Sequence, residues 1–215
     1  MSEVNQSGMM IVFDGMDGAG KGTQIQQIYQ RLKAIGKNVI VTREPGGSAS
    51  AEEVRELLVK GEPGKWDAMT ELLLMYASRR AHLRDTVFPA LEKGQWVICD
   101  RFADASRCYQ GIAGELGLER VECLHEMVVG DFQPDLSIIM DVSPEVSLSR
   151  ALKRGGAEDR FEKKGHEFHG KVREGFQQIA ARDPQHYVLI NGDQPVEQVT
   201  NDICKALEEK LGIVL

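Results

Sequence analysis

The side chains best suited to chemistry are concentrated in one glycine-rich segment, Asp14-Gly15-Met16-Asp17-Gly18-Ala19-Gly20-Lys21-Gly22-Thr23. Glycines let a loop wrap so that its backbone N–H groups point inward at an anion. A lysine at the end of such a loop supplies a mobile ammonium for the outer phosphates of a nucleotide. The order of a glycine, four residues, a second glycine and a lysine therefore predicts a phosphate-binding loop.

The elements on either side of this segment are those that a phosphate-binding loop needs. An apolar run from Met9 to Phe13 precedes it and predicts a buried strand. Apolar residues at helical spacing follow it, at Ile25, Ile28 and Leu32. The N-terminus of that helix adds partial positive charge where an anion would bind. A strand-to-helix turn that merely uses glycines is the alternative, and the lysine spacing in this context argues against it.

Two residues are candidates for holding a metal ion. The hydroxyl that reaches Mg²⁺ usually follows the loop lysine directly, whereas here Gly22 intervenes before Thr23. The order Gly-Lys-Gly-Thr is similar to that of small nucleotide kinases such as adenylate kinases. Asp100 ends another apolar strand, where phosphate-loop proteins place an acid that holds Mg²⁺, although an acid there can also cap the next helix. We therefore predict magnesium near Thr23 and Asp100.

Arginines recur beside the predicted strand ends. They lie on four separate elements, and each follows or interrupts apolar sequence: Arg43, Arg55, Arg79 and Arg101. Burying an arginine without a partner is costly, and its forked guanidinium suits phosphate. A surface salt bridge would explain any one of them, but four near one edge indicate a second anionic substrate.

A third basic group contains Arg150, Arg154 and Arg160, with Gly155-Gly156 between the last two. One interpretation is a mobile lid that carries arginines over a transferring phosphoryl group. The other is that Arg150 and Arg154 only complement a helix C-terminus. The residues themselves leave both interpretations open.

Bulk composition limits the partners and the location. The 215 residues carry a net charge of −7, which disfavours nucleic-acid binding through the overall field. Four scattered cysteines without metal-ligand spacing predict free thiols in a reducing compartment. The first eight residues lack a signal-peptide pattern, and no apolar run approaches ~18 residues. We expect a cytoplasmic protein without a membrane span.

Predicted strands alternate with predicted helices throughout the chain. The strands are expected at Met9–Phe13, Val39–Thr42, Trp96–Arg101, Leu136–Asp141 and Tyr187–Asn191. This alternation predicts an α/β fold, a doubly wound five-stranded parallel sheet flanked by helices. Ligands in such sheets bind at the carboxyl ends of the strands. We expect a flexible N-terminal extension (1–8) and a single phosphate-loop domain (9–215) with a lid at about 150–164.

Several further motifs together resemble those of thymidylate kinases of the bacterial type. The similarity covers nearly the whole chain from about Met9, and Arg43-Glu44-Pro45-Gly46-Gly47 is its most specific mark. The others are Asp14 to Lys21, Leu74 to Arg79, Asp100-Arg101-Phe102, Tyr109-Gln110-Gly111, Pro134-Asp135-Leu136 and Asp159-Arg160-Phe161-Glu162. The resemblance implies phosphorylation of dTMP to dTDP with Mg-ATP. It also implies a homodimer that packs the long 67–91 helix across a two-fold axis.

The resemblance assigns roles to individual residues. ATP phosphates would be held by residues 15 to 23 and by Arg150, with Lys21 and Asp17 at the reacting groups. The dTMP phosphate would bind Arg55 and Arg101. The nucleoside would be bound by Glu44, Met75, Arg79, Ser106, Tyr109 and Gln110, with Arg79 on thymine and Tyr109 on the deoxyribose. The loop lacks an arginine at Ala19 and Gly22, so the catalytic cation would come from Arg150, Arg154 and Arg160 of the lid.

Two departures from the family pattern leave alternatives. Met75 stands where many relatives place a phenylalanine that stacks on thymine, and residues 111–115 lack a common Gly-Gly-Arg-Gly sequence. Another nucleoside monophosphate is therefore an alternative acceptor. An ATP-binding switch without catalysis is a second alternative, although it leaves the acceptor-side arginines unexplained.

Overall fold

A computed structural model of the chain describes residues 8–154 and 160–215. It contains the predicted five-stranded parallel sheet, whose strand order is β2-β3-β1-β4-β5. The strands are β1 (Met10–Gly15), β2 (Val39–Arg43), β3 (Trp96–Asp100), β4 (Leu136–Asp141) and β5 (Tyr187–Asn191). The predicted extension falls almost entirely outside the described residues.

The central strand β1 shows why the sequence forms this sheet. Alternate side chains of a strand point to opposite faces, and each face of β1 meets a separate apolar core. Ile11 and Phe13 belong to one core, and Met10 and Val12 belong to the other. The continuous apolar run is thus the pattern of a strand buried on both faces.

Helices cover both faces and connect successive strands. They are α1 (Lys21–Ala34), α2 (Ala49–Val59), α3 (Ala68–His82), α4 (Phe88–Glu92), α5 (Ala103–Ser106), α6 (Leu118–Val128), α7 (Pro144–Arg154), α8 (His166–Arg182) and α9 (Val196–Leu211). Short 3₁₀ turns occur at Pro63–Lys65 and Glu162–Lys164. Among the described residues, none of the helices combines the length and hydrophobicity that crossing a bilayer requires.

The long helix predicted between residues 67 and 91 is divided by a π-helical turn at Leu83–Val87. Asp67 caps its start, because its carboxylate accepts from the Thr70 N–H at 2.7 Å. Pro89 has no N–H to donate, so the regular ladder of i to i−4 hydrogen bonds cannot continue through it. The wider turn accommodates this break, and the Phe88 N–H donates to the Leu83 carbonyl instead.

Candidate active site

A cavity of about 770 Å³ opens at the carboxyl ends of β1, β2 and β3. Parallel strands end at one edge of the sheet, so residues far apart in sequence meet there. The predicted site residues that line it are Asp17, Gly18, Gly20, Lys21, Gly22, Thr23, Glu44, Arg55, Met75, Arg79, Asp100, Arg101, Ser106, Tyr109, Gln110 and Arg150. The side chains of Met16 and Ala19 are buried in the apolar cores, so only their backbone groups could serve a nucleotide.

The glycine-rich segment is a tight loop between β1 and α1. Gly15, Gly18 and Gly20 adopt positive φ values of 125°, 81° and 94°. A Cβ atom on Gly15 would lie 2.5 Å from the Met140 carbonyl oxygen of β4, so no larger residue fits. Because α1 begins at Lys21, the loop presents the N-terminus of a helix to the cavity, as an anion site requires.

Lys21 is buried and is held by the loop itself. Its Nζ donates to the Met16 carbonyl at 2.8 Å and to the Gly15 carbonyl at 3.2 Å. Burial lowers the pKa of Lys21, and the positive charge of Arg101 lowers it further. A phosphate in the cavity would offer this ammonium the anionic partner that stabilises its charge.

Arg101 connects the end of β3 to the phosphate loop. It adopts a positive φ of 73°. Its Nη1 donates to the Gly15 carbonyl at 2.7 Å and to Asp14 Oδ1 at 3.2 Å, and its Nη2 donates to Asp17 Oδ1 at 2.8 Å. Burial raises the pKa of Asp14 to about 6, although the nearby Arg101 partly opposes this effect. A strained backbone angle supported by several contacts is typical of functional sites.

Arg79 is fixed at the far end of the cavity by Glu44. Its Nε donates to Glu44 Oε2 at 2.7 Å, and its Nη2 donates to the Phe102 carbonyl at 2.9 Å and to Ser106 Oγ at 3.2 Å. His82 Nδ1 lies 2.9 Å from Glu44 Oε1. The remaining nitrogen, Arg79 Nη1, is buried and has no hydrogen-bond partner among the described residues. Glu44 therefore orients Arg79, and the Nη1 nitrogen of Arg79 stays unpaired among the described residues.

Tyr109 and Gln110 lie on a π-helical turn, Arg107–Ala113. The Tyr109 hydroxyl is 3.4 Å from Asp17 Oδ2 and 3.4 Å from Arg101 Nη2. Gln110 Nε2 donates to Glu71 Oε2 at 3.1 Å. Its Oε1 is buried and accepts no hydrogen bond from the part of the chain that the structure describes. Such wide turns often mark functional sites.

Arg43 and Arg55 differ in how they are held. Arg55 Nη1 donates to the Pro45 carbonyl at 2.7 Å, directly after the cis Glu44–Pro45 peptide bond. Arg43 forms a half-exposed ion pair with Glu52 at 3.0 Å. Arg43 also lines the cavity, but it has the surface salt bridge that was the alternative explanation for a single arginine.

The lid arginines do not act together in this structure. Arg150 Nη1 donates to the Gly192 carbonyl at 3.2 Å beside the cavity. Arg160 is completely buried, and its Nη2 donates to Glu71 Oε1 at 2.5 Å. The ion pair with Glu71 holds the Arg160 guanidinium inside the protein in this structure, so its place over the phosphate loop stays a prediction. The side chain of Arg154 and residues 155–159 lie outside what is described.

Sequence reasoning missed four contributors to the site. Asp14 orients Arg101, and His82 orients Glu44. Phe161 lines the cavity, and Glu71 holds Gln110. A charged residue among the core-facing positions of a helix was the available signal for Glu71, since burying an unpaired charge is costly. Its partners could not be read from the sequence.

Known proteins similar to this chain are thymidylate kinases. The family model described as thymidylate kinase matches residues 13–203. The thymidylate kinase of Caulobacter vibrioides is 48% identical over 206 residues, covering 96% of this chain and 99% of the relative. That of Ruegeria pomeroyi is 44% identical, covering 92% and 93%. The crystal structure of thymidylate kinase from Ehrlichia chaffeensis matches with a TM-score of 0.77 at 33% identity, covering 94% and 99%.

Proposed function

The chain belongs to the thymidylate kinase family, and we propose that it transfers the terminal phosphoryl group of Mg-ATP to dTMP, giving dTDP and ADP. Kinase chemistry on a nucleotide follows from the family and from the phosphate loop at the head of α1. The residue roles, the metal ion and the assembly below are parts of the proposal.

The observation that carries the proposal is a pair of unsatisfied polar atoms on two residues that line the cavity. Arg79 Nη1 can donate a hydrogen bond, Gln110 Oε1 can accept one, and both are buried without partners in the described ranges. Thymine offers the matching pair, because its O4 accepts and its N3–H donates. Buried polar groups are almost always paired in native states, so a base that completes both bonds is the expected occupant.

The donor nucleotide would occupy the phosphate loop. Backbone N–H groups from Gly15 to Thr23 and the ammonium of Lys21 would hold its phosphates. Arg150 also lines the cavity and would contact the ATP side. These contacts position the terminal phosphate and neutralise its charge, which is the main contribution of a protein to phosphoryl transfer.

The acceptor phosphate would lie between the loop and Arg79. Arg55 and Arg101 line this part of the cavity and suit bidentate contact with phosphate. Tyr109, held beside Asp17 and Arg101, would form the wall against the deoxyribose. In this arrangement the ion pair between Asp17 and Arg101 stands where the attacking phosphate oxygen would approach the loop. Charge developing there would be stabilised by preorganised cations.

The cavity also contains groups suited to Mg²⁺. Asp100 Oδ1 is buried and has no hydrogen-bond partner in the described structure, and Thr23 lines the same cavity. Mg²⁺ usually takes one or two protein oxygens together with substrate phosphates and water. Asp100 and Thr23 therefore fit this ion, which would screen the phosphate charges when bound.

The decisive experiment is a coupled assay of ADP release with a panel of monophosphates: dTMP, dUMP, dCMP, dGMP and AMP. We expect turnover with dTMP to exceed that with dCMP by about a hundredfold, because cytosine pairs with neither Arg79 Nη1 nor Gln110 Oε1. Greater activity on another monophosphate would select the alternative acceptor. ATP binding without turnover of any acceptor would select the switch module.

A homodimer is part of the proposal, supported by exposed apolar side chains on three neighbouring helices. Leu57 on α2, Met69 and Leu73 on α3, and Met127 on α6 are 37–77% exposed, and α3 contacts both other helices. Contiguous apolar surface of this kind marks interaction sites, and a two-fold axis would bury it against itself. Sedimentation of the wild type and of Leu73→Glu tests this, with a shift toward monomer expected only in the variant.

The cytoplasm remains the proposed location. The four cysteines, Cys99, Cys108, Cys123 and Cys204, are free thiols, as a reducing compartment allows.

A further inference from the structure

Glu71 is a fully buried carboxylate on α3, and it is not among the residues that line the cavity. Its Oε1 accepts from Arg160 Nη2 at 2.5 Å and from Lys164 Nζ at 2.9 Å. Its Oε2 accepts from Gln110 Nε2 at 3.1 Å and also from Lys164 Nζ at 3.0 Å. Burial of a carboxylate requires such partners. The two cations therefore fix Glu71 in place directly behind Gln110.

This contact determines how the Gln110 amide is oriented. The nitrogen and oxygen of an amide have nearly the same shape, so its hydrogen-bond partners decide which one points where. A carboxylate in ion pairs with Arg160 and Lys164 offers only acceptor lone pairs. Gln110 must therefore turn its NH₂ group toward Glu71, and its Oε1 is left without a partner among the described residues. Because Gln110 lines the cavity, a base that packs against this side chain would supply the missing partner.

We propose that Glu71 is a positioning residue that determines which pyrimidine the acceptor site takes. By holding the amide of Gln110, it favours a base with an N3–H and disfavours a base with an unprotonated N3. The inference rests on the proposed function, in which the base lies between Arg79 and Gln110. Thymine and uracil donate from N3 to Gln110 Oε1. Cytosine would place its N3 lone pair against that oxygen and its 4-amino group against Arg79 Nη1.

The test is the variant Glu71→Gln. Its amide can bond to the same neighbours as the carboxylate, but it offers Gln110 a hydrogen-bond donor instead of an acceptor. The carbonyl oxygen of the new side chain would accept from Arg160 and Lys164. Its NH₂ would face Gln110 and would displace Lys164 from the position of Oε2. Gln110 would then turn its own oxygen to residue 71 and its NH₂ to the cavity. We expect kcat/KM for dTMP to fall about tenfold to a hundredfold. The value of kcat/KM for dCMP should rise. The ratio of kcat/KM for dTMP to that for dCMP should therefore fall by a larger factor than kcat/KM for dTMP alone.

Two comparisons separate this role from a structural one. The dTMP-to-dUMP ratio should not change in Glu71→Gln, since thymine and uracil share N3–H and O4 and differ only in a methyl group. The matched control Lys164→Gln removes a charge from the same cluster but keeps the carboxylate, so its dTMP-to-dCMP ratio should equal that of the wild type. A loss of general stability would lower activity on all three acceptors alike.

The outcomes distinguish this inference from the proposed function. A wild type without preference for dTMP over dCMP would overturn both. A wild-type preference that Glu71→Gln leaves unchanged would overturn the role of Glu71 alone. If the variant does not fold, a neutron crystal structure of the wild type with dTMP, which locates the amide hydrogens of Gln110, decides instead. Support requires Gln110 Oε1 on thymine N3 and Nε2 on Glu71, and any other orientation of the amide contradicts the proposal.

Discussion

Arg101 donates to Asp17 Oδ1 across 2.8 Å, between the end of β3 and the phosphate loop. The side chain of Arg101 is 14% exposed and that of Asp17 is 24% exposed, so water screens this ion pair only in part. The pair joins the loop that would hold ATP to the arginine that would hold the acceptor phosphate. This interaction therefore links the two proposed substrate sites directly.

Arg101→Lys tests this geometry, because a lysine keeps the charge but loses the forked donors. We expect kcat/KM for dTMP to fall about tenfold to a hundredfold, since charged hydrogen bonds contribute roughly 1.5–3 kcal/mol each. Steady-state kinetics with both substrates measure it. The matched control is Arg43→Lys, which changes an arginine of the same cavity whose ion pair is half exposed. Equal losses in the two variants would contradict the role of Arg101.

Lys21→Ala should abolish turnover while the protein stays folded, because Lys21 would neutralise charge that grows in the transition state. Single-turnover assays and thermal unfolding measure the two properties separately. Lys33→Ala, at an exposed position of the same helix α1, is the control and should retain activity. Near-normal turnover in Lys21→Ala would rule out the kinase mechanism.

Two of the lid arginines should differ in role, Arg154 being catalytic and Arg160 structural. Arg154→Gln should lower kcat by about 10²–10⁴, as expected for an arginine that stabilises a transferring phosphoryl group, with little effect on KM for ATP. Arg160→Gln should instead lower the free energy of unfolding by about 3 kcal/mol, because it removes one partner from a buried ion pair with Glu71.

Urea unfolding and kinetics at a temperature well below melting distinguish these two effects. A large loss of kcat in a fully stable Arg160→Gln protein would return Arg160 to the catalytic group. A pure KM effect of Arg154→Gln would mean that Arg154 only binds nucleotide.

Tyr109→Ala should weaken the preference for deoxyribose. The Tyr109 side chain is 4% exposed and would leave a ribose 2′-hydroxyl buried without a partner, at a cost of roughly 1–3 kcal/mol. The wild type should therefore favour dTMP over ribothymidine monophosphate by about tenfold to a hundredfold, and the alanine variant should narrow that ratio by readmitting water. Tyr109→Phe keeps the wall and should preserve the ratio. If Tyr109→Ala leaves the preference for dTMP over ribothymidine monophosphate unchanged, Tyr109 does not contact the sugar.

Asp14 should destabilise the folded state as the pH rises. Burial raises its pKa from 3.8 to about 6, so the folded protein retains a proton that the unfolded chain releases between these values. Stability from this group is therefore lost between about pH 4 and pH 6, by up to about 3 kcal/mol. Asp14→Asn cannot ionise, so its stability relative to the wild type should improve over that range. Urea unfolding at each pH measures the free energy of unfolding of both proteins. If this free energy changes with pH equally in the wild type and in Asp14→Asn, the predicted contribution of Asp14 is contradicted.

The sequence determined the phosphate loop and the parallel sheet because both depend on local spacing. The glycines before Lys21 set the loop conformation within a few residues, and the apolar run of β1 requires burial on both faces. The acceptor-side residues Arg79 and Arg101 were also placed correctly at the cavity, because each follows or interrupts an apolar element near the carboxyl edge of the sheet.

Only the tertiary structure decided how the charged and polar groups are paired. Arg160 and Glu71 are 89 positions apart, and Gln110 and Glu71 are 39 apart, so no periodicity in the chain records their contact. Whether a guanidinium binds a substrate phosphate or a buried carboxylate depends on which partner the packing brings within hydrogen-bond distance. The orientation of the Gln110 amide has the same origin, because a carboxylate packed behind it accepts hydrogen bonds and cannot donate them.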